Sequence, residues 1–132
     1  MKFSLFDNSE SIESFLIDLH KKKNDDKSIK LIKDFRSISK RTINQLSTMK
    51  TYQKLIADFM QTSSLSDTSK FVQQLIVFVD DRLNKSIEDS KKRDTRVRRL
   101  KEKTLVLNWF KNNRNELKKL FDLHKEIKQI MS

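Results

Sequence analysis

At 132 residues the chain is long enough for one ordinary domain or two very small ones, and it contains no glycine, no proline and no cysteine. Hairpin turns at positive φ and phosphate-binding loops both lean on glycine, which argues against a P-loop, a dinucleotide-binding fold and most sheet proteins. A net charge of +11, with charged and hydrophobic residues at 36% each, leaves room for a lean core only; Leu, Ile, Val and Phe are still 40 of the 132, above the share that disordered chains carry.

Helix interiors gain from lacking glycine and proline. The expected fold is therefore all-α, a small bundle of three to five helices ending in a long amphipathic helix. The expected organisation is a helical region over 1–62 and a basic helical region over 70–132, or the two merged into one domain. The missing cysteines rule out disulfides and thiolate sites, which suits a reducing compartment. Asp7 and Glu10 interrupt the first apolar cluster before it can make a signal peptide, and the longest apolar run, Leu75 to Val79, is far too short to cross a bilayer. The chain reads as soluble and intracellular, nuclear in a eukaryote and otherwise cytoplasmic, with no membrane partner.

The first helix is predicted to follow Asp7-Asn8-Ser9-Glu10, a D-x-x-E start similar to a capping box. Ile12, Phe15, Leu16 and Leu19 stand at i, i+3, i+4 and i+7 and form its apolar face. Lys21, Lys22 and Lys23 suit its negative dipole end, and Asn24-Asp25-Asp26 reads as a turn. From Ser28 to Met60 nothing forces a break. One long helix or two short ones fit equally, with the weak point at Ser37 to Arg41, and Phe35, Ile38, Leu46, Met49, Ile56 and Met60 can share a face.

Residues 61–69, rich in Ser and Thr, are the clearest loop. Phe71, Val72, Leu75, Ile76, Val79 and Leu83 then form the most apolar face of the chain. After Ile87 comes EDSKKRDTR, a stretch without one apolar residue, which a helix can cross but cannot bury. In the last predicted helix Val106, Trp109, Phe110, Asn113, Leu117, Leu120, Phe121, His124, Ile127 and Met131 lie on one stripe. Asn108, Lys111, Asn112, Asn115, Lys118 and Lys119 lie opposite.

Little in the sequence offers chemistry. His20 and His124 have no carboxylate or thiol at ligand spacing, and the adjacent pairs Asp25-Asp26 and Asp80-Asp81 diverge on a helix. The expectation is a non-enzymatic protein with no metal, no cofactor and no small-molecule substrate. Charge is more informative. Residues 85–119 hold 13 Lys/Arg and only 5 Asp/Glu, a surplus of 8, whereas residues 1–84 carry a surplus of only 3. A basic half beside a near-neutral half points to an anionic partner.

Trp109-Phe110, Asn112 and Arg114 spell W-F-x-N-x-R, with Val106 three residues before the Trp. This resembles the core of the third helix of homeodomains. Phe78, 31 residues before Trp109, also resembles the Phe-to-Trp spacing of homeodomains with an extended first loop. The resemblance implies that Trp109 and Phe110 face the core and that Asn112 contacts an adenine. It further implies that Lys111 sits at the variable specificity position, that Asn108 faces base edges and that Arg114 holds a phosphate. Asn108, Lys111, Asn112 and Asn115 share a face by spacing alone, and an Asn amide pairs bidentately with adenine. The likeness covers about ten residues well, because EDSKKRDTR stands where the family's second helix buries leucines.

The expected function is nucleic-acid binding by the basic C-terminal half, DNA ahead of RNA, as in a divergent DNA-binding transcriptional regulator. Arg93, Arg96, Arg98, Arg99 and Lys101 would hold phosphates, Asn108, Lys111 and Asn112 would read bases, and Arg114 and Lys118 would add further contacts. The alternative is a helical assembly subunit or adaptor. It would meet partner helices, in a homo- or hetero-oligomer, through Val106, Trp109, Phe110, Leu117, Leu120, Phe121 and Ile127, with Phe78 in its core.

Overall fold

The computed structural model of the chain describes residues 3–62 and 68–131. Among them are seven helices and no strand: α1 (Ser9–Lys23), α2 (Asp26–Arg36), α3 (Lys40–Thr48), α4 (Lys50–Thr62), α5 (Thr68–Glu88), α6 (Arg93–Asn112) and α7 (Arg114–Met131). The class is all-α. The helix count exceeds the three to five expected, because 28–60 is divided among three helices and the C-terminal stripe between two.

Polar side chains make those breaks without glycine or proline. After α2 the Ser37 hydroxyl donates to the Asp34 carbonyl at 2.7 Å, and Ser39 restarts the chain as the N-cap of α3. At the end of α3 the Ser47 and Thr48 hydroxyls donate to the Asn44 and Gln45 carbonyls, at 2.6 and 2.7 Å. Gln53 Nε2 reaches back to the Leu46 and Ser47 carbonyls, supplying donors that the ended helix lacks. The expected loop at 61–69 is only partly described. Gln61 and Thr62 still belong to α4 and Thr68 opens α5, while 63–67 lie outside the described residues.

The chain forms two compact units, Met1–Lys54 with Asn115–Ser132, and Leu55–Arg114. Their boundaries fall inside α4 and at the junction of α6 with α7.

In the first unit α1 buries Ile12, Phe15, Leu16 and Leu19, the face set by its spacing. Its N-cap is Asn8, whose Oδ1 accepts from the Ser11 amide at 2.9 Å; Asp7, the expected cap, instead accepts from the Ser4 amide at 3.2 Å. Asn24 closes α1 in the left-handed region at φ 46°, a conformation Asn tolerates, and Asp25 caps α2. The backbone and hydroxyl hydrogen bonds of Ser28 hold the Asp25 carboxyl below its ordinary pKa. α7 buries Leu117, Leu120, Phe121, Leu123 and Ile127. Glu116 at its start accepts from the Ser39 amide at 2.7 Å, and Glu126 pairs with Lys30 of α2 at 3.0 Å. Hydrogen bonds to the Glu126 and Asp34 carboxylates raise the Lys30 pKa. His124 stacks on Phe3 with ring centroids 5.7 Å apart, and burial, with Lys128 nearby, pushes its pKa down.

The second unit is an antiparallel hairpin of α5 and α6, joined by the short turn after Glu88 and packed by the end of α4. Phe59 of α4 meets Phe71 and Phe78 of α5 with centroids 5.0 and 5.3 Å apart, each such pair contributing about 0.5–1.5 kcal/mol beyond area burial. Val72, Ile76, Val79, Leu83, Ser86 and Ser90 repeat at spacings of 4 and 3 along α5. Facing them on α6, Arg96, Arg99, Lys103, Val106 and Phe110 repeat at 3 and 4. One end of this seam is apolar and the other polar. The stretch 88–96 is thus the tip of a hairpin whose seam is filled by hydrogen bonds.

Candidate nucleic-acid interface

The basic residues of α6 separate into two sets with opposite duties. The inner set closes the polar half of the hairpin seam. Arg99 Nη1 donates to the Ser86 carbonyl at 2.7 Å, to Ser86 Oγ at 3.0 Å and to Ser90 Oγ. Arg96 Nε donates to the Ser90 carbonyl at 2.7 Å. These are acceptors at the C-terminal end of α5, where unsatisfied carbonyls and the helix dipole attract a cation. Serines at 86 and 90 leave room for the guanidinium, and Ser90 is buried beneath it. Lys103 completes the row, with Nζ 2.9 Å from Asp80 Oδ1 and 2.6 Å from Asn84 Oδ1. Arg96 Nε and Arg99 Nη1, on two residues expected to hold phosphates, are thus engaged inside the hairpin, while Arg96 as a whole remains exposed.

The outer set faces solvent. Arg93, Arg98, Lys101, Asn108, Lys111 and Asn112 are all exposed. Arg98 has one weak partner, Glu102 at 3.9 Å, with both side chains more than half exposed. Among the described residues Arg93, Lys101 and Lys111 make no ion pair. Interleaved with them are Val97, Leu100 and Leu105, at 44, 48 and 71% exposure, and Thr104. At 100° per residue, Val97, Lys101, Thr104, Asn108 and Lys111 fall within roughly 80° of one another, on the side opposite Val106 and Phe110.

Three expectations for 106–131 meet the structure differently. The stripe is not one helix, because Asn113 interrupts it at φ −105°, ψ 17°. Its side-chain Nδ2 donates to the Trp109 carbonyl at 2.9 Å, an acceptor the backbone amide of Asn113 also uses at 3.0 Å. An Asn side chain that competes for a main-chain carbonyl in this way favours a helix end. Asn112 therefore closes α6 while Arg114 opens α7, so the W-F-x-N-x-R residues do not share a helix. Second, α6 is continuous from Arg93 through Trp109, so the turn before the Trp helix is the one after Glu88, far upstream of the Trp. Phe110 is fully buried, but Trp109 is only half-buried, set edge-on to Phe110 at 5.4 Å, and Phe78 is half-buried beneath the Arg82 guanidinium at 4.9 Å. Third, most of the stripe is core. Val106, Phe110, Leu117, Leu120, Phe121 and Ile127 are buried within this chain, and only Met131 at its end is exposed.

Arg114 and Lys118 are exposed on α7, and Lys118 belongs to the first unit rather than to the hairpin. Two open clefts flank the Lys30–Glu126 pair between α2 and α7, but carboxylates and ammonium groups alternate along both, so neither has a single-signed field for an anion. Among the described residues no cluster of His, Asp or Glu is placed to hold a metal ion, and no helix is long and apolar enough to cross a membrane.

Sequence reasoning missed Val97, Leu100, Thr104 and Leu105 as members of the exposed face. The signal was present: once 96, 99, 103, 106 and 110 are seen to repeat at 3 and 4, residues 97, 101, 104, 108 and 111 must face outward. Comparison of the chain with protein-family models, with curated proteins and with solved structures gives no match.

Proposed function

We propose that the protein is a non-enzymatic nucleic-acid-binding protein that works through the outer face of α6. The observation that carries this reading is the pairing pattern of the cations: Arg93, Arg98, Lys101 and Lys111 stand exposed on one continuous helix, three of them without an ion pair among the described residues. Cations held in place but not neutralised are what a phosphate backbone needs, since each phosphate contact releases condensed counterions. Arg96 and Arg99 support the interface by fixing the hairpin tip. Most apolar residues of the 106–131 stripe, on which the assembly-subunit reading was framed, are buried within this chain, which favours the nucleic-acid reading.

The test is a fluorescence anisotropy titration at several salt concentrations. The wild type should bind with an affinity that falls steeply with salt. The triple variant Arg93→Ala/Arg98→Ala/Lys101→Ala should keep its fold and lower the log–log salt slope by about 3, at roughly 0.9 per phosphate lost. Absence of wild-type binding to duplex, single strand and structured RNA at low salt would refute the reading.

A further inference from the structure

The outer face of α6 also carries information about which nucleic acid it fits. Its centre line is Val97, Lys101, Thr104 and Asn108, all exposed and continued by Arg93 and Lys111 at the two ends. In the sequence this line shows only through the 3 and 4 spacing of the residues behind it, because Val97 and Thr104 belong to no polar run. We infer that α6 lies in the major groove of duplex DNA and reads base edges through Val97, Lys101, Thr104 and Asn108. This inference rests on the nucleic-acid reading above.

The line suits that groove in both length and chemistry. From Val97 to Asn108 a helix rises about 16 Å, which spans roughly five base pairs. Lys101 can donate to guanine O6 or N7, and Asn108 can pair bidentately with adenine N6 and N7. The Thr104 hydroxyl proton is already donated to the Leu100 carbonyl at 3.0 Å, so its oxygen faces outward as an acceptor and its methyl as an apolar contact. Val97 supplies a second methyl surface, which suits the thymine C5 methyl. Behind the line, Arg96, Arg99 and Lys103 bond α6 to α5 and to Ser90 at its far end, and Val106 and Phe110 are buried, so the reading face is presented by a helix fixed along its length.

The same face fits other ligands poorly. Single strands are held by stacking bases on aromatic side chains. The outer line of α6 has none, and Trp109 is half-buried against Phe110. Duplex RNA has a major groove too deep and narrow for side chains to read. A helix that lies on anionic lipid has an apolar centre with cations at its flanks. Here the order is reversed, with Leu100 and Leu105 flanking a mostly polar centre. A second copy of the chain would bring like-charged Arg93, Lys101 and Lys111 faces together.

The experiment compares labelled duplex DNA, duplex RNA and single-stranded DNA of equal length at one salt concentration, with phosphatidylserine–phosphatidylcholine vesicles as a fourth probe. Sites enriched from a random duplex DNA library then supply a preferred sequence. The expected result is the tightest binding to duplex DNA, by about tenfold or more, with an enriched motif of roughly five base pairs. Asn108→Ala and Lys101→Ala should each lose about tenfold discrimination at a different base pair, the fold-change a lost bidentate or charged base contact produces. Gln74→Ala, on an exposed part of α5, should change neither. Equal or tighter binding to duplex RNA or to single strands overturns the inference and leaves the function reading standing. So does a motif indifferent to both substitutions, once circular dichroism has shown the variants folded. Vesicle binding without any nucleic-acid binding overturns both.

Discussion

Arg98 and Arg99 are neighbours in sequence, yet the structure gives them unrelated tasks, and exchanging each for alanine should separate folding from binding. Arg99→Ala removes donors from the Ser86 carbonyl, the Ser86 hydroxyl and the Ser90 hydroxyl. A hydrogen bond to a charged group contributes about 1.5–3 kcal/mol when buried. The Arg99 side chain is partly exposed, so water replaces it at some of these acceptors, and the expected loss is nearer 1–2 kcal/mol in total. Arg99→Lys should recover part of the loss, since all three contacts come from the single nitrogen Nη1, which an ammonium on a shorter stem replaces imperfectly. Arg98→Ala loses only a 3.9 Å surface pair and should cost less than about 0.5 kcal/mol. Urea denaturation followed by far-UV circular dichroism gives the global numbers. Hydrogen exchange should show accelerated opening of amides 84–92 in Arg99→Ala alone. Nucleic-acid affinity at moderate salt should fall in Arg98→Ala without any loss of stability. Equal stabilities for the two alanine variants, or unchanged exchange at 84–92, would refute the hairpin-staple argument.

Phe110→Ala, at a fully buried site, should cost about 3–5 kcal/mol, whereas Trp109→Ala, at a half-buried one, should cost clearly less; equal losses in denaturation would mean that Trp109 is a core residue after all. Acidification should destabilise the first unit through His124. Its pKa is depressed in the folded chain, so the unfolded chain binds the proton more readily, and stability falls as pH drops below the unfolded value of about 6.5 and is constant above it. His124→Phe should flatten that dependence between neutral and mildly acid pH, and an unchanged slope would exclude His124 as its source. Asn113→Leu should let α6 and α7 compete for a continuous helix, read as lower exchange of amides 113–117; no change there would mean that Asn113 does not cause the break.

What could be read beforehand followed periodicity. α1 was legible because Ile12, Phe15, Leu16 and Leu19 keep strict helical spacing, and the Asn24-Asp25 turn because both residues have side chains that suit a helix boundary. Within 28–60 the break at 37–39 falls in the weak stretch Ser37 to Arg41, whereas the break at Met49 and the division of 106–131 were not legible. Each rests on a Ser, Thr, Asn or Gln side chain reaching a particular carbonyl, and such residues are equally at home on a helix surface. At the site, the surplus of charge located the right helix but not the right residues. Arg96, Arg98 and Arg99 look alike in sequence, and only the facing serines of α5 decide which of them is occupied. The W-F-x-N-x-R residues drew attention to Asn112 and Arg114, whereas the helix they belong to ends between them.

Chemical-shift mapping bears most directly on the claim that α6's outer face is the binding surface. On adding duplex DNA to labelled protein, the largest changes in backbone amides and in the Asn108 side-chain amide should trace Arg93, Val97, Lys101, Thr104, Asn108 and Lys111, with Arg96 and Arg99 side chains little altered. Changes confined to α2 and α7, or no changes at concentrations where low-salt binding would be saturated, would contradict the account.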